Sequence, residues 1–593
     1  MGGEPVAVLG AGPAGLAAAY ELVQRGVAPL VLEKGAAVGG IARTEVHRGY
    51  GFDVGGHRFF TKNEGIERLW HQVLGEDFLR VPRLSRIYYN GRFFRYPLVI
   101  SNTLANLGPL ESLLILASYV RARIAPSPRE ESFEEWVANR FGRRLYETFF
   151  RTYTEKVWGI PCTRIRADWA AQRIKGLSLA TAVAKALLGA GKAKSLIDAF
   201  DYPRRGPGMM WERFRERIEA GGGRVCLGTE VTGLVCGDGH DGRNGRVTAV
   251  RVREGGQARE LPVSRVISTL PLQKLPGLLE PAPPSQVVEA AARLSHRSFL
   301  MVGLILDRAG LFPDQWIYVH SPEVQVGRIQ NFGNWSPEMV PEPGRAGVGM
   351  EYFCNEGDEL WCRPDAELGA LAARELERLG LARASEVVDH VVVRQPDAYP
   401  VYDQDYQEHL AVVRSHLAGF ENLQTAGRSG MHRYNNMDHS MLTGILAAQN
   451  ALGARHDVWD VNEEDEYLEE QGTAKGGRLY EAVLQRALAR LDKVAFGAAV
   501  GTAAGLGLFL ATLWLVVKGG PVVGPKLGLL AQYFPGYRVT WGGAFVGLWY
   551  GCTVGFAFGW VFAWLRNFSL ALYVYRVRRR EESVSLRNIL DRV

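Results

Sequence analysis

The fold of this chain is indicated by one segment near its N-terminus, Val6-Ala-Val-Leu-Gly10-Ala-Gly12-Pro-Ala-Gly15-Leu-Ala-Ala-Ala-Tyr20. An apolar run of strand length enters the glycines, and an alanine-rich run of helical character follows them at once. Gly10 permits a tight turn, Gly12 lets the backbone approach a ligand, and Gly15 lets the helix lie close on the strand. The turn therefore presents backbone N–H groups at a helix N-terminus, which is a favourable site for a phosphate group.

An acidic residue and a second pair of glycines follow at the spacing of a dinucleotide site. A second apolar run ends at Glu33, where a carboxylate can accept hydrogen bonds from ribose hydroxyls. Gly39, Gly40 and Arg43 come directly afterwards. A lone GxGxxG motif is weak evidence, but here a strand, a helix and an acidic residue accompany it. Because the second glycine pair is typical of FAD enzymes of the glutathione-reductase and amine-oxidase type, the sequence predicts an FAD site rather than an NAD site.

Composition limits the class of protein. The chain has 593 residues, more than one hydrophobic core usually fills, so two or more domains are expected. A formal net charge of +6 is small for this length and does not argue for nucleic acid, so no nucleic-acid partner is expected. The six cysteines form no CxxC pair and lack histidines at ligand spacing, so neither a disulfide framework nor a metal site is expected. The first strand begins without a charged and then apolar leader, which predicts no signal peptide.

Hydrophobic periodicity predicts an α/β protein: a Rossmann-type, glutathione-reductase-like FAD-binding domain with an inserted α+β substrate domain. Residues 85–96 alternate around Asn90-Gly91, the pattern of a β-hairpin. Residues 98–123 and 133–153 have helical spacing, and the apolar run 113–120 is too short to cross a bilayer. Strands are expected at 265–269, 299–306 and 347–353. A helix expected at about 438–452 would point its N-terminus at the cofactor.

These elements suggest a discontinuous domain organisation. We assign residues 1–95, 205–290 and 420–455 to the FAD-binding domain, and residues 96–204 and 291–419 to the substrate domain. Residues 456–493 are expected to form an acidic linker, at 463–470, and a basic amphipathic helix. Residues 494–593 are assigned to a membrane hairpin and a basic tail.

Two uncharged segments predict the hairpin. Residues 494–517 and 539–565 carry no charged side chain, and each exceeds the roughly 20 residues that span the hydrocarbon core. Two very apolar core helices are the alternative. Basic residues concentrate outside the loop between the segments: Arg486, Arg490 and Lys493 precede the hairpin and Arg566, Arg576, Arg578, Arg579 and Arg580 follow it, against Lys518, Lys526 and Arg538 in the loop. The positive-inside rule places both ends, and the flavin domain, on the cytoplasmic side of the inner membrane.

Five short stretches carry a family resemblance. They are Gly55-Gly-His57-Arg-Phe-Phe60-Thr, Tyr153-Thr-Glu-Lys-Val-Trp158-Gly, Val326-Gly-Arg328-Ile, Asp397-Ala-Tyr399-Pro-Val, and Gly427-Arg428 followed by Arg433-Tyr434-Asn-Asn-Met-Asp438. In this order they resemble the G-P-H-x-F-H-T, Y-T-x-K-Q-W-G, Y-T-R-I, E-P-Y-Y-P-V, and G-R with K-Y-Y-D-M-D motifs of the UDP-galactopyranose mutases. That family lies within the wider flavin amine oxidase and protoporphyrinogen oxidase superfamily. The resemblance extends from the N-terminus to about residue 452.

The resemblance implies roles for individual residues. Tyr153 and Trp158 would line the nucleotide and sugar pocket, and Arg173, near the position of a loop arginine of the mutases, is added as a substrate residue. Tyr399 and Tyr434 would hold diphosphate oxygens. The catalytic candidates are His57, beside the flavin, and Arg328, which would neutralise the diphosphate. The cofactor-binding candidates are Gly10, Gly12, Gly15, Glu33, Gly39, Gly40, Arg43, Gly56, His57, Val231, Gly427, Arg428, Met437 and Asp438.

The resemblance also implies a reaction. In the mutases, N5 of reduced flavin attacks the anomeric carbon, the diphosphate leaves, and the sugar ring opens and recloses as a furanose. We therefore expect a membrane-anchored, FAD-dependent sugar mutase in cell-envelope glycan synthesis. Its substrate would be a nucleotide sugar or a sugar on a polyprenyl phosphate, and NAD(P)H is the candidate external reductant. Two alternatives stay open: an FAD-dependent oxidoreductase of the amine oxidase, protoporphyrinogen oxidase or desaturase type acting on an apolar, membrane-derived substrate, and a non-catalytic flavin-binding scaffold.

This chain departs from the mutase motifs at several positions. Gly56 replaces a proline, Phe60 replaces the second histidine of the loop motif, and Val157 replaces a glutamine. The C-terminal hairpin is also absent from most mutases. These departures leave the identity of the substrate open.

Overall fold

The computed structural model describes residues 4–96, 100–167, 199–237, 245–462, 492–520 and 523–590. The chain divides into two compact units, Met1–Gln471 and Gly472–Val593. The expected acidic linker, nearly all of the basic amphipathic segment and the candidate substrate residue Arg173 lie outside the described residues.

The strands belong to the first unit. In chain order they are β1 Val6–Leu9, β2 Pro29–Leu32, β3 Thr44–His47, β4 Tyr50–Asp53, β5 Phe78–Pro82, β6 Ser85–Tyr89, β7 Arg92–Arg95, β8 Ala199–Pro203, β9 Arg224–Cys226, β10 Thr229–Gly237, β11 Arg246–Glu254, β12 Gln257–Pro262, β13 Arg265–Ser268, β14 Leu279–Glu280, β15 His296–Leu306, β16 Trp316–Val319, β17 Arg328–Asn331, β18 Ala346–Cys354, β19 Val387–Pro400 and β20 Leu423–Thr425.

The helices alternate with these strands and then replace them near the C-terminus. In chain order they are α1 Pro13–Gln24, α2 Glu64–Leu74, α3 Ile100–Leu107, α4 Pro109–Ile124, α5 Phe133–Phe141, α6 Arg143–Leu145, α7 Thr152–Trp158, α8 Gly208–Ala220, α9 Ser285–Arg293, α10 Glu359–Cys362, α11 Asp365–Arg378, α12 Tyr406–Leu417, α13 Gly427–Gly430, α14 Met437–Ala451, α15 Lys493–Lys518, α16 Pro525–Gly528 and α17 Trp541–Leu590.

The glycine-rich stretch connects β1 to α1 in a five-stranded sheet of order β20-β13-β1-β2-β9. Its strand pairs are all parallel, and every residue of β1 and β2 is buried. Because parallel strands end at the same edge of a sheet, the loops after β1, β2, β13 and β20 meet there. The fold thus collects the glycine turn, Glu33, Thr269 and Gly427 at one edge.

Two helices of this unit pack closely because their contact residues are small. A Cβ on Gly444 of α14 would lie 2.1 Å from the carbonyl oxygen of Ala14 in α1. A Cβ on Gly15 would lie 2.0 Å from the carbonyl oxygen of Gly10. No larger residue fits at either position, so α1 lies tightly between the sheet and α14.

A mixed seven-stranded sheet, of order β19-β15-β18-β17-β16-β6-β7, forms the other large layer of the first unit. The predicted hairpin at 85–96 is confirmed as β6 and β7, and the predicted strands at 299–306 and 347–353 lie within β15 and β18. The helical stretch predicted at 98–123 is instead two helices. The helix α3 ends before Gly108, whose φ is +88°, and a new helix, α4, begins at Pro109.

The second unit contains two helices long and apolar enough to cross a membrane. α15 and the first half of α17 run antiparallel, and their glycines meet in pairs: Gly497 with Gly559, Gly501 with Gly555, and Gly505 with Gly551. A Cβ on Gly555 would lie 2.9 Å from the Cα of Gly501. The predicted close helix contact is therefore observed, since backbones approach this closely only through glycine.

Candidate functional site

The glycine turn has the shape of a phosphate site. Gly10 has a φ of +99°, and α1 begins at Pro13 with Gly12 as a cap that offers no side chain. A Cβ on Gly40 would lie 3.2 Å from the Cα of Gly12, so the second glycine pair lies directly against the first. A helix N-terminus without a side-chain cap, walled by glycine backbone, fits the pyrophosphate of FAD.

Glu33 follows β2 at the same edge of the sheet. One carboxylate oxygen accepts the backbone N–H of Ala11 at 2.8 Å, and the other accepts the N–H of Gly35 at 2.7 Å. Each oxygen keeps further lone-pair capacity, which fits the expected ribose contact. The same contacts fix the position of the glycine turn.

Arg43 links this edge to the seven-stranded sheet. Its guanidinium donates to the carbonyl oxygen of Gly40 at 2.9 Å and to the side chain of Gln395 at 2.7 Å. The neighbouring Gly39 has no room for a side chain, because a Cβ there would lie 2.6 Å from the indole of Trp211. These contacts hold the loop of residues 39–43 against β19.

The start of α14 lies at the same edge. Asp438 is buried in the first turn of this helix and accepts a hydrogen bond from the hydroxyl of Thr61 at 2.8 Å. Arg428 donates its Nε–H to the carbonyl oxygen of Asn435 at 2.8 Å, just before α14 begins at Met437. The motifs around residues 55–61 and 427–438 are therefore joined, and an uncapped helix N-terminus offers a second place for the cofactor.

The His57 side chain contacts the backbone of the loops that contain Ile41 and Val54. Its Nε2 lies 2.8 Å from the carbonyl oxygen of Ile41 and 3.0 Å from that of Val54. Since carbonyl oxygens only accept, Nε2 carries the ring proton and Nδ1 is the acceptor nitrogen. Burial lowers the pKa of His57 to about 4, so the ring is neutral at physiological pH.

Arg328 is the centre of the residues that the sequence predicts to bind substrate. Its Nε donates to the hydroxyl of Tyr153 at 2.8 Å, and its Nη1 donates to the hydroxyl of Tyr399 at 3.1 Å and lies 3.3 Å from the carboxylate of Glu351. Glu351 also accepts from the amide of Gln330 at 2.7 Å. The nearby carboxylate and phenols hold the pKa of Arg328 well above its usual value although burial acts against them. Arg328 is therefore a permanent buried cation.

Aromatic rings line this cation. The Tyr399 and Tyr434 rings stack with centroids 5.8 Å apart, and the guanidinium of Arg428 lies 4.6 Å from the Tyr434 ring. The Trp158 ring lies 6.2 Å from that of Tyr434. Burial raises the pKa of Tyr399 to about 12, so its phenol stays protonated. The predicted substrate residues Tyr153, Trp158, Tyr399 and Tyr434 are thus brought together around Arg328.

Gly56 lies flat against a tryptophan. A Cβ at Gly56 would lie 2.2 Å from the Trp316 ring, which excludes any other side chain. The guanidinium carbons of Arg58 and Arg328 lie 5.1 Å and 5.5 Å from the centre of that ring. The replacement of the mutase proline by glycine therefore has a steric reason in this chain.

The structure adds residues that the sequence analysis missed. Glu351 is paired directly with Arg328 across β18 and β17. Arg297 is buried and its guanidinium lies against Gly159, whose added Cβ would be 2.5 Å from it. Arg297 donates to the carbonyl oxygen of Phe353 at 3.0 Å, and no carboxylate among the described residues lies within 4 Å of it. Glu351 had a sequence signal, since it is the one acidic residue of the otherwise apolar strand β18.

One described candidate residue, Val231, stands apart from these contacts, and Arg173 lies outside the described residues. Val231 is a half-buried residue of β10, where it pairs with Val252 next to a break in register. Its cofactor role stays a prediction. The role of Arg173 also stays a prediction.

Comparison with known proteins agrees with this geometry. Residues 13–452 match the family of flavin containing amine oxidoreductases. The structure is similar to that of reduced UDP-galactopyranose mutase, with a TM-score of 0.68 over 78% of this chain and 98% of that one, at 19% identity. A putative protoporphyrinogen oxidase from Exiguobacterium sp. 255-15 gives a TM-score of 0.57 over 76% and 99% of the two chains, at 18% identity.

A triple mutant of putrescine oxidase with redesigned cofactor binding gives a TM-score of 0.52 over 76% of this chain and 98% of that one, at 18% identity. At such identities the likeness shows the fold. The predicted FAD-binding α/β fold and the mutase-like resemblance are thereby confirmed at the level of the fold. The family match ends at residue 452, before the two apolar helices.

Proposed function

The chain belongs to the flavin containing amine oxidoreductase family and is an FAD-dependent enzyme, and we propose that it rearranges the ring of a phosphate-linked sugar. It would act as a membrane-anchored relative of UDP-galactopyranose mutase in cell-envelope glycan synthesis. The observation that carries this proposal is the convergence of phenolic hydroxyls and a second guanidinium group on the buried Arg328.

The cofactor side follows from the glycine turn. The backbone around Gly10, Gly12 and Gly40 would hold the FAD pyrophosphate, Glu33 the ribose, and the start of α14 a further part of the cofactor. When bound and reduced, with NAD(P)H as the proposed reductant, the flavin supplies a nucleophilic nitrogen for a redox-neutral rearrangement. His57, neutral and with Nδ1 unprotonated, would accept or relay a proton beside it.

The substrate side has an excess of positive charge. Arg328 and Arg297 carry two cations, and the cofactor-binding candidate Arg428 adds a third 4.6 Å from the Tyr434 ring. Glu351 is the one carboxylate that pairs with them in the described residues. Guanidinium groups and phenolic donors suit phosphate oxygens, while the rings of Trp158 and Tyr434 suit a base or a sugar face. A sugar carried on a nucleoside diphosphate or on a polyprenyl phosphate supplies both kinds of group.

The membrane anchor is supported by exposure as well as composition. The most apolar windows of α15 and α17 have mean hydropathies of 2.0 and 1.5, yet only 17% of the first window and 22% of the second are buried. A core helix of a soluble protein would be mostly buried, so these two helices have apolar surface that lipid would cover. The positive-inside bias of the flanking residues then favours a cytoplasmic catalytic unit at the inner membrane.

One observation favours a second candidate. Glu351 lies 3.3 Å from Arg328 and compensates part of its charge, which makes the centre of the site less demanding of an anion. An oxidoreductase that takes hydride from an apolar membrane-derived substrate needs no bound anion at this position, and it would use the same aromatic walls.

A direct assay separates the two functions. The full-length protein is purified, its flavin is reduced anaerobically, and UDP-hexopyranoses or polyprenyl phosphate hexopyranoses are added. A furanose product without net oxidation supports the proposal. Reduction of the oxidised flavin by an added lipid or porphyrinogen, in the absence of another reductant, would overturn it.

A further inference from the structure

Helix α4 has its apolar side turned outward. Its large exposed side chains lie within about half of the helix circumference and extend from one end of the helix to the other. Leu110, Leu113 and Ile124 are 71%, 63% and 78% exposed. The other members of this outer face are Leu114, Leu116 and Val120. An amphipathic helix of a soluble protein normally packs such a face against the core, so this arrangement is inverted.

The inner side of α4 is fixed by polar and close contacts. Glu111 receives two hydrogen bonds from the guanidinium of Arg144, at 2.6 Å and 2.7 Å, and Ser118 accepts the N–H of Arg144 at 3.1 Å. A Cβ on Gly142 would lie 2.7 Å from the backbone nitrogen of Tyr119. Ile115, on the same side, is 3% exposed. The helix is therefore held in the orientation that exposes its leucines.

The outer face is too extended to be incidental. From Leu110 to Ile124 the helix rises about 21 Å, and the six exposed side chains cover that length without an acidic residue. Contiguous apolar surface of this kind marks a site of interaction with another apolar phase or partner.

Charge and composition indicate what covers it. Arg121 and Arg123 are exposed in the last turns of α4, and neither has a carboxylate within 4 Å among the described residues. The outer face is aliphatic and lacks the tryptophan and tyrosine that dominate protein interfaces. An aliphatic face bordered by unpaired cations is complementary to acyl chains below anionic headgroups.

We infer that α4 is an in-plane membrane helix that docks the catalytic unit on an anionic bilayer, with Leu110, Leu113 and Ile124 below the headgroups. The inference rests on the membrane anchoring proposed above, because α15 and α17 would keep the unit beside a bilayer. Ile115 belongs to the same buried core as Trp158, Trp316 and Tyr399. Docking through α4 would place one side of this shared core against the lipid, which deepens the proposed function by favouring a lipid-linked sugar over a free nucleotide sugar.

Photocrosslinking in the full-length protein tests this arrangement. The amino acid p-benzoylphenylalanine is introduced separately in place of Leu113, of Val388, which is exposed on β19, and of Val554, which is exposed on α17. Each variant is placed in nanodiscs that contain phosphatidylglycerol, irradiated, and analysed by mass spectrometry. We expect lipid adducts at positions 113 and 554 and none at 388.

Different results would contradict the docking of α4 and the membrane anchor formed by α15 and α17. A lipid adduct at 554 without one at 113 overturns the docking inference and leaves the anchor intact, as does a crosslink from 113 to a second copy or to another segment of this chain. Absence of lipid at 554 overturns the anchor whatever position 113 shows. In a second comparison, Arg121→Gln and Arg123→Gln are combined with the crosslinker at position 113. The ratio of docked to undocked protein in phosphatidylglycerol discs, measured as the yield of lipid adduct, should fall by about fivefold for each charge removed. An unchanged adduct yield at 113 in these discs contradicts the headgroup contact.

Discussion

The Nε–H of Arg328 donates to the hydroxyl of Tyr153 at 2.8 Å, although 175 residues separate the two in sequence. This contact joins β17 to α7 and so brings two of the family-like motifs into one cluster. The same guanidinium lies 3.3 Å from Glu351, which is fully buried. The stability of the site and its proposed affinity for an anion therefore depend on the same cation.

Removing Arg328 alone should cost more stability than removing the pair. Arg328→Met leaves the Glu351 carboxyl buried without its cation, and breaking a buried pair in this way costs about 3–5 kcal/mol of unfolding free energy. Arg328→Met combined with Glu351→Gln should recover most of that loss, measured by urea unfolding. The double variant should keep its flavin absorbance and lose affinity for a phosphate-linked sugar. Loss of flavin would show that Arg328 serves the cofactor instead.

Replacement of Arg297 should weaken substrate binding without lowering the free energy of unfolding. Arg297 is a buried cation without a described carboxylate partner, and burial lowers its pKa. Arg297→Met should therefore leave the free energy of unfolding unchanged or raise it, because an apolar side chain of similar length escapes the desolvation cost. The affinity for a phosphate-linked sugar should fall about tenfold or more, since a charged hydrogen bond contributes roughly 1.5–3 kcal/mol. Arg293→Met, at an exposed site, is the control; equal affinity in both variants would remove Arg297 from the substrate site.

Gly15→Ala should abolish cofactor binding. The added methyl group would lie 2.0 Å from the carbonyl oxygen of Gly10, so the turn that holds the pyrophosphate must open. Gly277→Ala is a matched control, because a Cβ there meets nothing within 4 Å. The ratio of flavin to protein absorbance after incubation with FAD measures the effect. Full FAD occupancy of the Gly15 variant would contradict the assigned phosphate site.

In the hairpin, the effect of a larger side chain should depend on which glycine it replaces. Gly501→Leu places a side chain where a Cβ alone would lie 2.5 Å from the carbonyl oxygen of Cys552, whereas Gly507→Leu on the same helix meets nothing within 4 Å of its Cβ. We expect only the first to separate α15 from α17, at a cost of about 1–3 kcal/mol or more for overpacking. Spin-label distances across the hairpin in nanodiscs provide the measurement. Equal distances in both variants would argue against close packing through glycine.

Acid should destabilise the catalytic unit through buried histidines. Burial lowers the pKa values of His320 and His432 to about 3, below the ordinary 6.5 of the unfolded chain. The unfolded chain then binds protons that the folded chain excludes, so the free energy of unfolding falls as the pH drops from about 6.5 toward 3. The slope approaches about 1.4 kcal/mol per pH unit for each histidine.

His432→Asn tests this dependence. His432 has a φ of +46°, which asparagine tolerates better than most residues, so the backbone should keep its conformation. The variant should lose one histidine's share of the acid slope, measured by urea unfolding between pH 4 and 7. The exposed His456 provides the control substitution, His456→Asn. A slope unchanged from the wild type would show that His432 does not titrate in this range.

Local patterns were sufficient for many elements of the fold. The strand, glycine turn and helix at residues 6–24 follow directly from periodicity, as do the hairpin at β6 and β7 and the helix α14. The break between α3 and α4 was missed although Gly108 and Pro109 mark it, because the apolar spacing continues across the break. Periodicity alone also does not tell which face of α4 is buried.

The candidate site was only partly predictable. Short motifs indicated Tyr153, Arg328, Tyr399 and Tyr434 separately, and the structure brings them into contact. The partner of Arg328 was not predictable, because it depends on the register of β17 against β18. Arg297 gave no signal in the sequence, since its burial results from contacts with Gly159 and Phe353, which are distant in the chain.

The glycine turn, the alternation of strands and helices, and the two apolar C-terminal helices are all predictable from the order of residues along the chain, because each depends on the spacing of neighbouring residues. The three-dimensional arrangement was needed to show which charges meet at Arg328, why Gly56 must lack a side chain, and that the leucines of α4 face outward. These features depend on strand register and on the packing of distant segments, where the free energy comes from contacts that local sequence does not specify.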